Sequence, residues 1–210
     1  FYNIMVKIYV DASFNYVNPN TNIIGGVGIV VLHYDYIGNI INEEYYAKRY
    51  TKEDILALME FKADKLSLKN GILEFIALFE CFNLCEFHNE EIVVYSDWNE
   101  INKMFQFEHK CKSLFRREPN LKGLFYSFKK SEHYLDNLIY VKHVKGHNQT
   151  RYNCVADFLA NYWLDCKLAV KTVLDNYDFQ SLHEAKLNIY MAERRRKAKQ
   201  HLKNKSINTL

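Results

Sequence analysis

The chain has 210 residues, of which 49% are hydrophobic and 15% aromatic, and it contains only seven Gly and two Pro. This composition excludes a disordered or fibrous protein and predicts one main domain with a sizeable core. The five cysteines are odd in number and form no C-x-x-C pair, which favours a reducing compartment over a disulfide framework. No apolar run approaches the roughly 18 residues of a membrane span, so we expect a soluble, intracellular protein.

The net charge of +3 is distributed unevenly along the chain. Residues 103–130 and residues 182–210 each contain eight Lys or Arg and two acids, a local charge of +6 apiece, so the remainder carries −9. Two basic segments beside an acidic body favour a polyanionic partner, with the acids reserved for another task such as metal binding. Solvated surface is the plain alternative for each basic segment.

Three apolar runs in the first quarter of the chain predict an antiparallel meander. The first, Ile4 to Val10, is rich in β-branched residues and stops at Asp11; the second covers residues 29–32, and Gly38-Asn39 predicts a hairpin turn into the third, residues 40–47. The glycines at 25, 26 and 28 lack the Lys and the spacing of a phosphate-binding loop and precede a strand, so we assign them to a turn.

Two helices and a fourth strand follow. Thr51 to Asp54 predicts a helix cap and a short helix over about 52–63, and a second amphipathic helix spans about 72–87 with Glu74 in its first turn. An acid there is also favoured by the helix dipole, so plain capping is the alternative for Glu74. The run at 92–96 repeats the opening pattern, an apolar strand that stops at Asp97. If the two strands are parallel neighbours, Asp11 and Asp97 lie side by side.

The segment from Lys103 to Lys130 alternates basic and aromatic residues. Cations for phosphates and aromatic faces for bases would suit a nucleic acid, whereas amphipathic helices with a charged outer face would produce the same pattern. A fifth strand at 138–141 leads into a polar loop and then a helix from about Asn153 that carries Asp157. A helical stretch over about 182–203 ends the chain.

These residues together resemble the ribonuclease H family, type 1. The acids Asp11, Glu74 and Asp97 occur in the order and the elements of that family, and the stretch 144–147, Val-Lys-Gly-His, is followed by Asn153 and Asp157 as in its closing motif. Asn70 also stands four residues before Glu74. The resemblance covers roughly residues 4–167 and implies an α/β fold with a five-stranded mixed sheet, three strands antiparallel and two parallel, and helices on both faces. It divides the chain into a catalytic domain, 1–170, and a basic helical extension, 171–210.

The resemblance also implies a function. It predicts an endonuclease that hydrolyses the RNA strand of RNA/DNA hybrids with two Mg²⁺ ions, Mn²⁺ being a substitute, and that leaves a 5′-phosphate. The implied metal ligands are Asp11, Glu74, Asp97 and Asp157, and His147 would assist proton transfer or product departure. The implied nucleic-acid contacts are Ser13, Asn70, Asn99, Lys112, Arg116, Arg117, Lys145 and Asn153.

Three departures from the family pattern bear on how the site would recognise the 2′-hydroxyl groups of its substrate. Ala12 and Gly71 replace the usual Gly and Asn, and Trp98 follows Asp97 where a small residue is usual. Two other functions remain open at this point, a nuclease of the same fold that acts on DNA and a hybrid-binding module without chemistry. The basic extension would add affinity for nucleic acid or dock a protein partner.

Overall fold

The computed structural model describes residues 5–14, 23–58, 70–145 and 150–162. Its strands are β1 (Met5–Phe14), β2 (Ile23–Tyr34), β3 (Ile40–Thr51), β4 (Glu91–Ser96) and β5 (Leu138–His143). Its helices are α1 (Lys52–Leu58), α2 (Asn70–Leu84), α3 (Asn99–Gln106), α4 (Lys112–Arg117), α5 (Pro119–Lys130), α6 (Glu132–Leu135) and α7 (Arg151–Tyr162). A 3₁₀ turn, Glu108–Cys111, joins α3 to α4.

The five strands form one mixed sheet in the order β3-β2-β1-β4-β5. β1 pairs with β2 and β2 with β3 in antiparallel register, whereas β4 pairs with β1 and β5 with β4 in parallel register. This arrangement confirms the predicted sheet. It places β1 at the centre, and the carboxyl ends of β1 and β4 lie at the same edge of the sheet.

Helices cover both faces of this sheet. Alternate residues of β1 separate the two cores: Ile8 and Val10 face α2 in the main core, and Tyr9 faces α7 in the second. α2 is buried along most of its length because it lies between the sheet and the aromatic side chains of the following helices. The helices on both faces therefore agree with the prediction.

The predicted turn at the glycines is wrong. Gly25, Gly26 and Gly28 lie inside β2, which begins at Ile23 and pairs with β1 along its length. A Cβ at Gly28 would lie 2.0 Å from the carbonyl oxygen of Ala156 and 2.6 Å from the backbone nitrogen of Ala160, both in α7. Glycine is therefore required here because α7 packs directly on the β2 backbone.

The predicted hairpin turn and helix cap are present. Gly38 has φ +90° in the turn between β2 and β3, and the Asp35 carboxylate accepts hydrogen bonds from the backbone N–H groups of Ile37 and Asn39. At the start of α1 the Asp54 carboxylate accepts from the backbone N–H of Thr51, whose hydroxyl accepts from the N–H of Asp54. This reciprocal pair is a capping box.

Most aromatic residues of the basic segment serve the core. Phe115 is 7% and Phe125 0% exposed, and Phe105 packs edge-on against Phe125 with ring centroids 5.4 Å apart. The prediction of aromatic faces available to bases is therefore wrong for these rings, and the alternative of amphipathic helices is correct. Phe107 and Tyr126 stay exposed.

Several predictions concern residues outside the described ranges. These are His147, the end of the short helix at 59–63, and everything after Tyr162, including the helical stretch at 182–203 and the basic extension. Among the helices that the structure describes, none combines the length and the apolar character needed to cross a membrane.

Candidate metal centre

Three acids from three different elements meet at the carboxyl edge of β1 and β4. Asp11 lies in β1 opposite Gly28 of β2 and is 7% exposed, and Asp97 follows directly after β4. Glu74 comes from α2 and is 3% exposed. One carboxylate oxygen from each of the three lies within 4.8 Å of the others. The predicted convergence of these acids is therefore present.

Glu74 lies two residues further from the start of its helix than the sequence predicted. α2 begins at Asn70, so the first turn contains no acid and capping does not explain Glu74. Its side chain instead extends into the space shared with Asp11 and Asp97. Burial raises the pKa of the Glu74 carboxyl well above its usual value, and the negative charges of Asp11 and then Asp97 raise it further. The backbone N–H of Ala12 opposes this shift.

These residues fit a divalent cation. The Glu74 Oε2 atom is buried and has no hydrogen-bond partner among the described residues, so it can serve as a ligand to a cation. Three carboxylates at this separation repel one another unless positive charge lies between them. Hard oxygen donors of this kind suit Mg²⁺ and related ions.

Asp157 approaches the centre from α7 but is not one of the three acids that lie within 4.8 Å of one another. Its charge also raises the pKa of Glu74, although less than the charges of Asp11 and Asp97 do. The Asp157 Oδ1 atom accepts a hydrogen bond of 2.7 Å from Asn161 Nδ2. The Oδ1 atom of Asn161 in turn accepts one of 3.0 Å from the Ser13 hydroxyl. Asn161 therefore connects α7 to the end of β1 and fixes the orientation of the fourth acid.

Backbone contacts hold the segments that carry the acids. The N–H of Ala12 donates to Asp11 Oδ1 over 2.7 Å. At the end of β4, Val144 N–H donates to the Ser96 carbonyl over 3.0 Å, and His143 Nε2 lies 3.1 Å from the Asp97 carbonyl oxygen. Because both contacts come from the end of β5, this strand supports the position of Asp97.

The predicted nucleic-acid contacts occupy different environments. Asn99, at the start of α3, and Lys145, just after β5, are exposed. Asn153 is only 4% exposed, and within the described part of the chain its Oδ1 atom has no hydrogen-bond partner. The hydroxyl of Ser13 is engaged with Asn161, and Asn70 is the first residue of α2. A nucleic-acid role for these residues stays a prediction.

The remaining predicted contacts, Lys112, Arg116 and Arg117, are exposed on α4. Two of them line an open cavity of about 850 Å³ between α3, α4 and α5, which we call the basic groove. Its lining residues are Phe105, Gln106, Glu108, His109, Lys112, Phe115, Arg116, Lys122 and Tyr126. Glu108 is neutralised by Lys129 at 2.9 Å, so Lys112, Arg116 and Lys122 leave the groove with a positive charge.

Reasoning from the sequence missed Gly28 and Asn161, and it did not relate Gly71 to Trp98. The alanines at 156 and 160, spaced i and i+4, were the available sign that α7 packs closely on a strand. Cys81 and Cys85 are buried in the main core.

Comparison with known proteins supports the fold. No protein-family model and no curated protein matches the sequence. Among solved structures, LC9-RNase H1, a type 1 RNase H with the type 2 active-site motif, matches with a TM-score of 0.51 and 15% identity over 75% of this chain and 71% of that one. RNase H1 from the archaeon Halobacterium salinarum NRC-1 matches with a TM-score of 0.45 and 18% identity, over 74% of this chain and 94% of that one. LC11-RNase H1, isolated from compost by a metagenomic approach, matches with a TM-score of 0.46 and 22% identity, over 76% of this chain and 94% of that one. The chain therefore has an RNase H-like fold.

Proposed function

We propose that this chain is a divalent-metal-dependent endonuclease that hydrolyses the RNA strand of RNA/DNA hybrids. The observation that carries the proposal is the convergence of Asp11, Glu74 and Asp97 within 4.8 Å at the carboxyl edge of the central strands of an RNase H-like sheet. The choice of RNA/DNA hybrids as the substrate rests on the family resemblance, which the order of these acids and the closing motif with Asp157 carry.

In this proposal the three acids hold the cations and Asp157 completes the ligand set from α7. Mg²⁺ suits the oxygen donors, and the resemblance implies two ions. Ions held by these residues would supply Lewis-acid chemistry, which would activate water for attack and offset negative charge on the reacting phosphate. Because the donor atom of Glu74 is buried and has no partner among the described residues, we expect Glu74 to be the ligand most sensitive to replacement.

The protein's own groups prepare the site for this chemistry. Without cations, the raised pKa of Glu74 favours a proton on that carboxyl, so cation binding must displace the proton. Asn161 holds Asp157 in place by donating a hydrogen bond to its Oδ1 atom. His147, which lies outside the described residues, would transfer a proton or assist departure of the product.

The nucleic acid would bind along the basic groove and across the edge of the sheet. Lys112, Arg116 and Lys122 are the groove cations that phosphates would contact, while Asn99 is exposed at the start of α3, two residues after Asp97. The basic extension, residues 171–210, would add affinity for the same polyanion.

The test is a cleavage assay on labelled substrates in Mg²⁺. We expect the RNA strand of an RNA/DNA hybrid to be cut, and single-stranded RNA, duplex RNA and duplex DNA to be left intact. Asp97→Asn should abolish cleavage while the protein still binds the hybrid. Preferential cutting of duplex DNA would replace the proposal by a DNA nuclease of this fold. Binding without cleavage would replace it by a binding module.

A further inference from the structure

Gly71 and Trp98, two of the departures from the family pattern, lie in direct contact. A Cβ atom at Gly71 would lie 2.4 Å from Cζ2 and 2.7 Å from Cη2 of the Trp98 indole. Carbon atoms in contact are normally about 3.5–4.0 Å apart. The indole therefore occupies the volume that a side chain at position 71 would need, so Trp98 in this position requires glycine at position 71.

This contact joins the two segments that carry Glu74 and Asp97. Gly71 is the second residue of α2, three positions before Glu74, and Trp98 follows Asp97 directly. The backbone of Trp98 is itself fixed, because its N–H donates to Ser96 Oγ over 3.1 Å and its carbonyl accepts from the Ile101 N–H over 3.1 Å. The backbone of Trp98 is thus held at the end of β4, while its ring contacts the beginning of α2.

The beginning of α2 borders an open space beside the indole. The indole, Gly71 and Ile72 line a cavity of about 280 Å³, whose other lining residues are Glu100, Leu114, Arg117, Glu118 and Leu121. Because the space beyond the ring is open, loss of the ring would let the first turn of α2 move toward α4 and α5.

We propose that Trp98 is a positioning residue of the metal centre. Its indole, packed on the backbone of Gly71, holds the beginning of α2 against the end of β4 and so keeps Glu74 and Asp97 at the separation of metal ligands. The proposal rests on the proposed function in one respect, that these acids bind a divalent cation.

The test is the affinity for Mn²⁺, measured by titration calorimetry on the full chain with Trp163→Phe as the parent. Trp98 is then the only tryptophan, and its emission should change when the cation binds. Trp98→Ser and Gly71→Asn should each weaken Mn²⁺ binding about tenfold or more, the range seen when groups that orient metal ligands are replaced. The double variant should bind more tightly than Gly71→Asn alone, since removal of the ring makes room for the new side chain. Trp98→Phe, which keeps an aromatic ring, should retain most of the affinity.

Leu114→Ala is the matched control. Leu114 is 8% exposed and lines the same cavity from α4, so its truncation should lower the melting temperature without changing the affinity for Mn²⁺. If Gly71→Asn does not fold, Trp98→Ser and the double variant still decide the question.

The outcomes separate this proposal from the proposed function. If the parent binds Mn²⁺ and folded Trp98→Ser binds it equally well, Trp98 does not position the ligands, while the metal centre stands. Equal losses of affinity in Leu114→Ala and Trp98→Ser would also overturn the positioning role, because loss of stability would then explain both. A parent that binds no cation overturns both proposals.

Discussion

Gly28→Ala should damage the metal centre from a position that contributes no ligand. The added Cβ would lie 2.0 Å from the Ala156 carbonyl oxygen and 2.8 Å from Leu159 Cβ. Ordinary contact distances require α7 to move away by roughly 1–1.5 Å, since β2 is paired on both sides and cannot retreat. Overpacking of this kind costs about 1–3 kcal/mol of the free energy of unfolding. For a chain of this size that corresponds to a decrease of roughly 2–12 °C in the melting temperature.

The larger effect should be on cleavage. Asp157 follows Ala156 directly, so the same displacement moves the fourth acid away from Asp11, the residue opposite Gly28 in the sheet. A misplacement of about 1 Å reduces rates on the order of 10²-fold. Thermal unfolding and hybrid cleavage in Mg²⁺ measure the two effects on one preparation.

Gly38→Ala provides the control for Gly28→Ala. Gly38 has φ +90° in a surface turn, and none of the described atoms lies within 4 Å of the position that a Cβ would take there. Alanine at this position therefore adds backbone strain of about 1–2 kcal/mol without touching α7. We expect this variant to lose stability and to keep its activity. If Gly28→Ala cleaves the hybrid at the parent rate, close packing of α7 on β2 does not position Asp157.

Three further predictions follow from the charges of the site. Glu74→Gln removes a buried carboxylate that lies beside two others, so thermal unfolding in EDTA should show a more stable protein. Cleavage in Mg²⁺ should be lost, and an active variant would contradict the role of Glu74 as a ligand. Because the pKa of Glu74 is raised above its usual 4.5, the folded protein retains a proton that the unfolded chain releases, and stability without cations should fall as pH rises from 4.5 through the folded pKa. Unfolding measured from about pH 5 upward should therefore show this fall in the parent and much less of it in Glu74→Gln. The double variant Lys112→Ala/Arg116→Ala should raise KM for the hybrid at unchanged kcat. It should also reduce the slope of log affinity against log salt concentration by about one unit per lost phosphate contact. Lys52→Ala on α1 is the control and should change neither KM nor this slope.

The acids of the centre could be predicted because each has a local signal. Asp11 and Asp97 both follow apolar runs, and parallel strands bring such ends to one edge of the sheet. Glu74 has a weaker signal, because the same mostly apolar helix also carries Glu80. For Asp157 the signal is its spacing from the preceding motif, which makes it a candidate ligand only through the resemblance.

The errors arose where a tertiary contact decides the local structure. The glycines of β2 resemble turn residues in sequence, and only the packing of α7 explains why Gly28 lies in a central strand. The aromatic residues between the lysines and arginines follow helical spacing, but their burial depends on α2, which lies far away in the chain. The contact of Gly71 with Trp98 joins residues that the rest of α2 and β4 separate in the sequence, so neither position reveals its partner.

The most direct measurement for the central claim is single-turnover cleavage of a hybrid labelled separately on its RNA and DNA strands, in Mg²⁺ and in EDTA. It compares the parent chain with Asp11→Asn, Glu74→Gln and Asp97→Asn. We predict cuts in the RNA strand alone, only with Mg²⁺, and none above background with the three folded variants. Cleavage that persists in EDTA, or that survives in any of the three variants, would show that these acids do not form the catalytic metal centre.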